Sequence, residues 1–489
     1  MTNQDSNPSS WLSLELGVVI DYGQTEKVEP DNISSETWVL ELEDIERDTS
    51  RLLKRLTYAE RPSKSTKNSF SPGDVLYGKL RPYLNKVIYA DASGVCSTEI
   101  IPLKPNLAVD SRYLFHWIRH PEFLAYTSQV SHGVNMPRLG TEAGRQAPFI
   151  LAPINEQRRI ADKLDRVLAR VDTANEHLSR VAPLIKRFRQ SVLAAAFKGK
   201  LTEEFRKQEE LTPIDETVKR SPEIPRPNRY NSRTDAVIPG DFALSVNQSN
   251  MIAPDGWKWL PMVDIARMES GHTPSRSFPE YWHGNIPWIG IVDARIHHTS
   301  TIEDTIQHTN NLGLENSAAR LLPAGTVCVS RTASVGYVVK MGKPMATSQD
   351  FVNWICGPAV NPDWLKWLFV AEEAALYRFG KGSTHTTIYF PEWLSLNVAL
   401  PPLEEQSEIV RRVEKLFAFA DRLEERLSQA QAAVQKLTPA LLAKAFRGEL
   451  VPQDPNDEPA SELLKRLQEN RTESTKPSRA RKPRARKSS

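Results

Sequence analysis

At 489 residues, with 40% apolar and 25% charged residues, the chain exceeds what one ordinary core organises and has the make-up of a soluble globular protein of two or more domains. Its formal charge of +3 hides an asymmetry: from Asn470 onward stand eight Lys or Arg and one acid, Glu473, so the remainder carries about −4. That excludes a globally basic nucleic-acid-binding body and leaves room only for a local patch. The polar start "MTNQDSNPSS", the short apolar runs and the scattered Cys96, Cys328 and Cys356 argue against a secretory signal, a membrane span, a disulfide framework and a zinc site, and for reduced, buried thiols in a cytoplasmic protein.

In chain order, residues 1–150 read as a mixed α/β domain, with a helical stretch at "SRYLFHWIRHPEFLAYT". Residues 151–203 read as one long helix. Apolar side chains recur at Ile160, Leu164, Val167, Val171, Ala174, Leu178, Val181, Ile185, Phe188 and Val192, a heptad seam with charged residues between. Residues 204–255, rich in Pro, Ser and charge, read as a loose linker. Residues 256–399 form a second mixed α/β domain, with β-rich pieces such as "GTVCVSR" and "VGYVVKM" and a helical "NPDWLKWLFVAEEAALYRF". Residues 400–450 repeat the long helix, with its seam at Ile409, Val413, Leu416, Ala420, Leu423, Leu427, Ala430, Val434, Leu437 and Leu441. Residues 451–489 end in a basic, compositionally disordered tail.

The two helical segments are copies. "LAPINEQRRIADKL" from Leu151 returns as "LPPLEEQSEIVRRV" from Leu400, and the match continues without a gap to Leu201 and Leu450. The repeat reaches upstream as well, with Trp11 matched to Trp259 and Gly133 to Gly382, while the long middles differ. Each helix is expected to span some 44 residues, about 66 Å. Gly199 and Gly448 serve as left-handed C-terminal residues. Pro183 and Pro439 inside the helices predict a bend or break near each. A single apolar seam of this length needs a partner, and the two copies supply each other as a coiled-coil pair.

Chemistry is missing from both variable domains. There is no phosphate loop, no glycine-rich cofactor fingerprint and no Asn-Pro-Pro-aromatic loop for amino-methyl transfer; "NPDW" at Asn361–Trp364 is a poor imitation. The histidines, His297 and His298 included, lack metal-ligand spacing.

The order of variable domain, "P-x-x-EQ" heptad helix ending "AF-x-G-x-L", second variable domain and second helix resembles the specificity (S) subunit of type I restriction–modification systems. The motifs that carry this are "LAPINEQRRI", "LPPLEEQSEI", "AAAFKGKL", "AKAFRGEL" and "GWKWLPMVDIARMESGHTPS". The resemblance implies two tandem target-recognition domains, each reading one half of a split DNA target, held apart by two long antiparallel coiled-coil helices with a pseudo-two-fold axis. It implies a non-catalytic chain partnered by double-stranded DNA, two methyltransferase subunits and restriction/translocase subunits. S-adenosylmethionine, ATP and magnesium would be used only through those partners. A protein-binding coiled-coil scaffold, or a self-contained methyltransferase or nuclease with an unrecognised catalytic domain, are the alternative readings.

Basic residues mixed with aromatic and amide side chains suit phosphate clamping and base-edge reading. In the first domain these are Lys79, Arg81, Tyr83 and Lys86 in "YGKLRPYLNK", with Asn135 and Arg138 in "SHGVNMPRLG". In the second they are Arg276, Arg295, Arg331 and Thr332, with Ser383, Thr384, His385 and Thr386 in "GSTHTTIYF". The helix-pair interface is expected at Ile160, Leu164, Val167, Val171, Leu178, Ile185, Phe188, Ile409, Val413, Leu416, Leu423, Leu427, Val434 and Leu437.

Overall fold

A heptad seam needs an unbroken helix, and both copies supply one, over Ile154–Phe197 and Leu403–Phe446, 44 residues each. The computed structural model describes residues 8–133, 135–214, 218, 234–249, 251–332, 334–380 and 386–474. Pro183 and Pro439 lie inside the long helices without interrupting them, so the break expected at each does not occur. Both prolines are exposed, as are Ser179 and Gln435 one turn earlier, so water can satisfy the carbonyls that lose their N–H donors.

The chain divides into two compact units, Met1–Ser179 with Ser428–Ser489, and Arg180–Leu427. Each unit therefore takes in one variable segment and parts of both long helices.

In the first unit a five-stranded sheet (strands at 27–28, 67–70, 94–96, 38–40 and 56–57) and a three-stranded sheet (87–89, 75–78 and 100–103) carry the variable segment. Strand Leu12–Glu15 pairs antiparallel with Pro148–Leu151, which leads directly into the first long helix. The core gathers Trp11, Tyr113, Trp117 and Phe149 with Ile160, Leu164 and Leu168 from the start of that helix. Leu442, Ala445 and Phe446, from the end of the second long helix, join the same cluster. Ala460, Leu463 and Leu467 join it from a further helix, Ala460–Ser474. The Phe446 ring sits 4.9 Å from the rings of both Tyr113 and Trp117.

The second unit repeats the plan on a five-stranded sheet (266–270, 351–356, 327–330, 338–341 and 301–302), a three-stranded sheet (307–309, 282–289 and 346–347) and a four-stranded sheet (238–239, 244–246, 396–400 and 258–261). Here Val192, Leu193, Ala196 and Phe197, from the end of the first long helix, share a core with Ile409, Val410 and Val413 from the start of the second. Arg189 bonds Asp421 and Glu424 at 2.8 Å each, and Arg412 donates to the Leu201 carbonyl at 2.8 Å. Those pairings run in opposite senses, so the two segments are antiparallel within this unit. The expected linker 204–255 is not loose throughout. Ile238–Pro239 and Leu244–Val246 are strands, because Ala243, Leu244 and Val246 have apolar side chains that the core takes up.

Along the seam, Ile160, Leu164, Val171, Ile185, Ile409, Val413 and Leu427 are buried, and Val167, Leu178, Phe188, Leu416, Leu423 and Val434 are half-buried. Leu437 departs from the expectation at 44% exposed. A straight helix slips about 20° per heptad against a strict seven-residue repeat. Burial accordingly passes to the neighbouring stripe, Thr438, Leu442 and Ala445.

The repeated "EQ" pair is the joint that fastens each helix start to its sheet. The Trp11 indole donates to Glu156 at 2.8 Å, and the Trp257 indole to Glu405 at 2.9 Å. The Gln157 side chain accepts from the Asp110 backbone N–H (2.9 Å) and donates to the carbonyls of Ala108 and Ala152. Gln406 does the same with Asn361 (2.8 Å), Ala359 and Pro401. Asp110 and Asn361 themselves cap the helices Ser111–Ile118 and Pro362–Ala371. The upstream match is thereby corrected: Trp11 corresponds to Trp257, not Trp259. Strand register agrees, since Leu12 faces Leu151 as Lys258 faces Leu400. "WKW" offers two indoles, and only hydrogen bonding tells them apart; that of Trp259 donates to the Met251 carbonyl instead. At the other helix end, Gly199 and Gly448 adopt φ of +69° and +75°, each pressed by a proline, Pro254 or Pro8, that leaves no room for a side chain.

Candidate nucleic-acid interface

In the first unit, strand Val75–Gly78 runs out of its sheet into Lys79, and two separate stretches of sequence meet there. The Leu139 N–H donates to the Lys79 carbonyl (3.0 Å), the Arg81 N–H to the Pro137 carbonyl (2.7 Å), and Leu80 bridges Arg138. The loops 79–86 and 135–139, each singled out by composition, thus form one surface. Arg81 and Asn85 flank a single turn at Pro82–Leu84 with left-handed φ of 51° and 47°, which turns Tyr83 outward, 51% exposed. Arg81 and Asn135 are exposed and Lys79 is half-buried. Two other candidates have internal partners: the Lys86 ammonium donates to the Leu42 carbonyl at 2.6 Å, and the Arg138 guanidinium lies 3.2 Å from Glu99. Tyr77 belongs to the core, edge-on to Phe123.

The second unit reproduces this junction with other side chains. Strand Val327–Ser330 runs out into Arg331, whose carbonyl accepts from the Ile388 N–H at 2.9 Å, and Thr332 bridges Thr387 with their hydroxyls 2.7 Å apart. Lys79 and Arg331 are therefore structural equivalents. Arg331 also donates to the Gln349 carbonyl (3.2 Å) and stacks over Phe390 at 4.6 Å. Thr386 is half-buried beside it, while Ser383, Thr384 and His385 lie outside the described residues. Arg295 is exposed on the short helix Ile291–Ile296, whose Asp293 carboxylate accepts from the Gly290 and Ile306 N–H groups.

Arg276 stands on the loop that follows strand Ala266–Ser270, at the same sheet end as Ser330 and Phe351. Its surroundings were not legible in composition: the guanidinium lies over Trp282 and Trp288 and bonds Gln307. The one signal in the sequence was the density of aromatics in "FPEYWHGNIPW".

The thiols play no part at either surface. Burial pushes Cys96 and Cys328 well up and Cys356 up to about 12, so all three stay protonated. Among the described residues no group of three or more His, Cys, Asp or Glu could hold a metal ion, and no helix is long and apolar enough to cross a membrane.

Two copies of one mixed α/β unit, each ending a central strand at a half-buried basic residue, Lys79 or Arg331, and each packed on segments of both long helices, define the class of molecule. The family described as the type I restriction modification DNA specificity domain matches twice, at residues 54–181 and 254–430, and the chain belongs to that family. It is 28% identical over 368 residues to the EcoBI specificity subunit of Escherichia coli, covering 73% of this chain and 69% of the relative. It is 26% identical over 351 residues to the EcoKI specificity subunit of Escherichia coli K12, covering 72% and 68%. Among solved structures, an HsdS subunit from Thermoanaerobacter tengcongensis superposes with a TM-score of 0.57 at 20% identity, over 92% of this chain and all of that one. A chain from a study of type I R-M complex assembly and conformational transition gives 0.67, also at 20% identity, over 91% and 99%.

Proposed function

We propose that the chain is the non-catalytic, DNA-reading subunit of a type I restriction–modification complex. Each unit reads one half of a bipartite target, and the long helices set the gap between the halves. Two methyltransferase subunits dock on the chain, and restriction/translocase subunits join for cleavage. S-adenosylmethionine, ATP and magnesium enter the reaction through those partners. The observation that supports this most is the repeated junction. One backbone arrangement, Lys79 with Leu139 and Arg331 with Ile388, carries different side chains in each unit, as two readers of unlike half-sites require.

The test is to co-express the chain with its methyltransferase subunits and sequence the modified bases. The expected result is a split motif of two short specified blocks with a constant unread gap. A continuous motif, or modification by the chain alone, would overturn the reading. A salt-insensitive gel shift would instead favour the protein-binding scaffold.

A further inference from the structure

Resting on the reading that the second unit contacts duplex DNA, we propose that Arg276, with Gln307 beside it, reads a guanine in the major groove and so determines one base of the target. Most exposed arginines are free to swing, and holding one still is costly in side-chain entropy. This one is held already. The loop that bears it is tied down at four points. The Trp288 indole donates to the His272 carbonyl (3.1 Å) and the Trp282 indole to the Ser275 carbonyl (3.4 Å). The His272 N–H donates to the Thr347 carbonyl (2.9 Å), and the Thr273 hydroxyl meets the Gln349 side chain at 2.5 Å. The guanidinium then lies 4.9 Å from the centre of the Trp282 ring and 5.5 Å from that of Trp288, over two indoles set edge to face. Its hydrogen-bond partner is Gln307, at 3.1 Å, on the strand paired with Trp288.

Hydrogen-bond chemistry selects the base. A guanidinium has no acceptor, so the Gln307 amide must turn its oxygen toward Arg276, leaving its NH2 group outward. With the Gln307 oxygen engaged by Arg276, the pair presents chiefly donors. Guanine alone shows two acceptors, N7 and O6, on its major-groove edge and so matches the guanidinium fork; adenine and cytosine each place a donor amine there, and thymine offers the single acceptor O4 beside a methyl group. An open cavity of about 630 Å³ lies in front, lined by Arg276, Pro279, Trp282, Ile306, Gln307 and His308. His308 is not a competing reader, since its ring bonds Asp304 at 2.8 Å.

The experiment compares wild type, Arg276→Ala, Arg276→Lys and Gln307→Ala, each in complex with the methyltransferase subunits, on duplexes in which every target position is varied singly. For Arg276→Ala the expected result is a ten- to hundred-fold loss of discrimination at one guanine in one half-site, with the other half-site read as before. Arg276→Lys keeps the charge but loses the planar fork, so it should lose most of the same discrimination; Gln307→Ala should lose part of it. Overturning results are unchanged discrimination at every position, or uniform weakening on all duplexes with a salt slope reduced by about one, the mark of a phosphate contact. Thermal melting of each variant, together with intact reading of the other half-site, separates these from misfolding. Wild type that shows no sequence preference would sink the DNA-reading function itself and not merely this assignment.

Discussion

Gln157 and Gln406 are each fully buried, and each satisfies three backbone groups at the point where a long helix leaves its sheet. Alanine at 406 would strand the Asn361 N–H and two carbonyls, at a cost of about 2–4 kcal/mol. Denaturant unfolding should register that loss, and an unchanged midpoint would show the joint to be dispensable. Glu372 makes a pH-dependent contribution of the opposite sign. Three backbone N–H groups, of Asp241, Phe242 and Leu244, point at its carboxylate, yet burial pushes its carboxyl from 4.5 up to about 7. Below about pH 4.5 it is protonated whether folded or unfolded. Between there and about pH 7 the folded chain keeps a proton that the unfolded chain has released, so stability falls as pH rises through that window. Glu372→Gln cannot titrate. Relative to it, wild type should lose about 3 kcal/mol between pH 4 and pH 8; parallel unfolding free energies across that range would show that the shift is absent.

At the scale of elements, the long helices carry their prolines without a break. Pro183 lacks the N–H that would reach the Ser179 carbonyl, and it is exposed. Pro183→Ala restores that bond and a better helix former, so the melting temperature should rise, by the equivalent of about 1–3 kcal/mol. A fall would mean that the proline's local geometry is needed by packing. The same helix is proposed to set the gap between half-sites. One added turn, about 5.4 Å, should lengthen the unread gap by roughly one or two base pairs of about 3.4 Å each, read by sequencing methylated sites. An unchanged gap would refute the spacer role.

At the scale of the whole molecule, the first compact unit is built from two separate stretches of chain, whereas the second is one continuous stretch. The first unit depends on Leu442, Ala445, Phe446, Ala460, Leu463 and Leu467, all more than 250 residues beyond the start of the first long helix. A chain ended at Leu427 removes those side chains while leaving the second unit's residues intact. Burying a Phe contributes about 3–5 kcal/mol when compared with its loss to Ala. The truncated chain should therefore show a protease-sensitive first unit beside a second unit that still melts cooperatively. Equal resistance of both would contradict the shared core.

The sequence by itself determined what recurs. Heptad spacing located both long helices to within a few residues, because a seam facing a partner must repeat every three or four positions. The duplicate "EQ" and "F-x-G-x-L" motifs revealed two units, and loop composition picked out Lys79, Arg81, Asn135, Arg276, Arg331 and Thr332, all of which lie on or near the surface. What each motif does was decided only by tertiary structure. The glutamates of "EQ" bond indoles 145 and 148 residues away and the glutamines bond backbone groups 45 to 49 residues away, so no local pattern could name Trp257 over Trp259. The seam's slip past Leu437 depends on helical geometry accumulated over several turns. The pairing of the 79–86 loop with 135–139, and the indole floor beneath Arg276, exist because distant strands end at one edge of a sheet. Periodicity is a local property of the chain and can be read from it; the choice of partner is a property of the folded core, and the sheets make it.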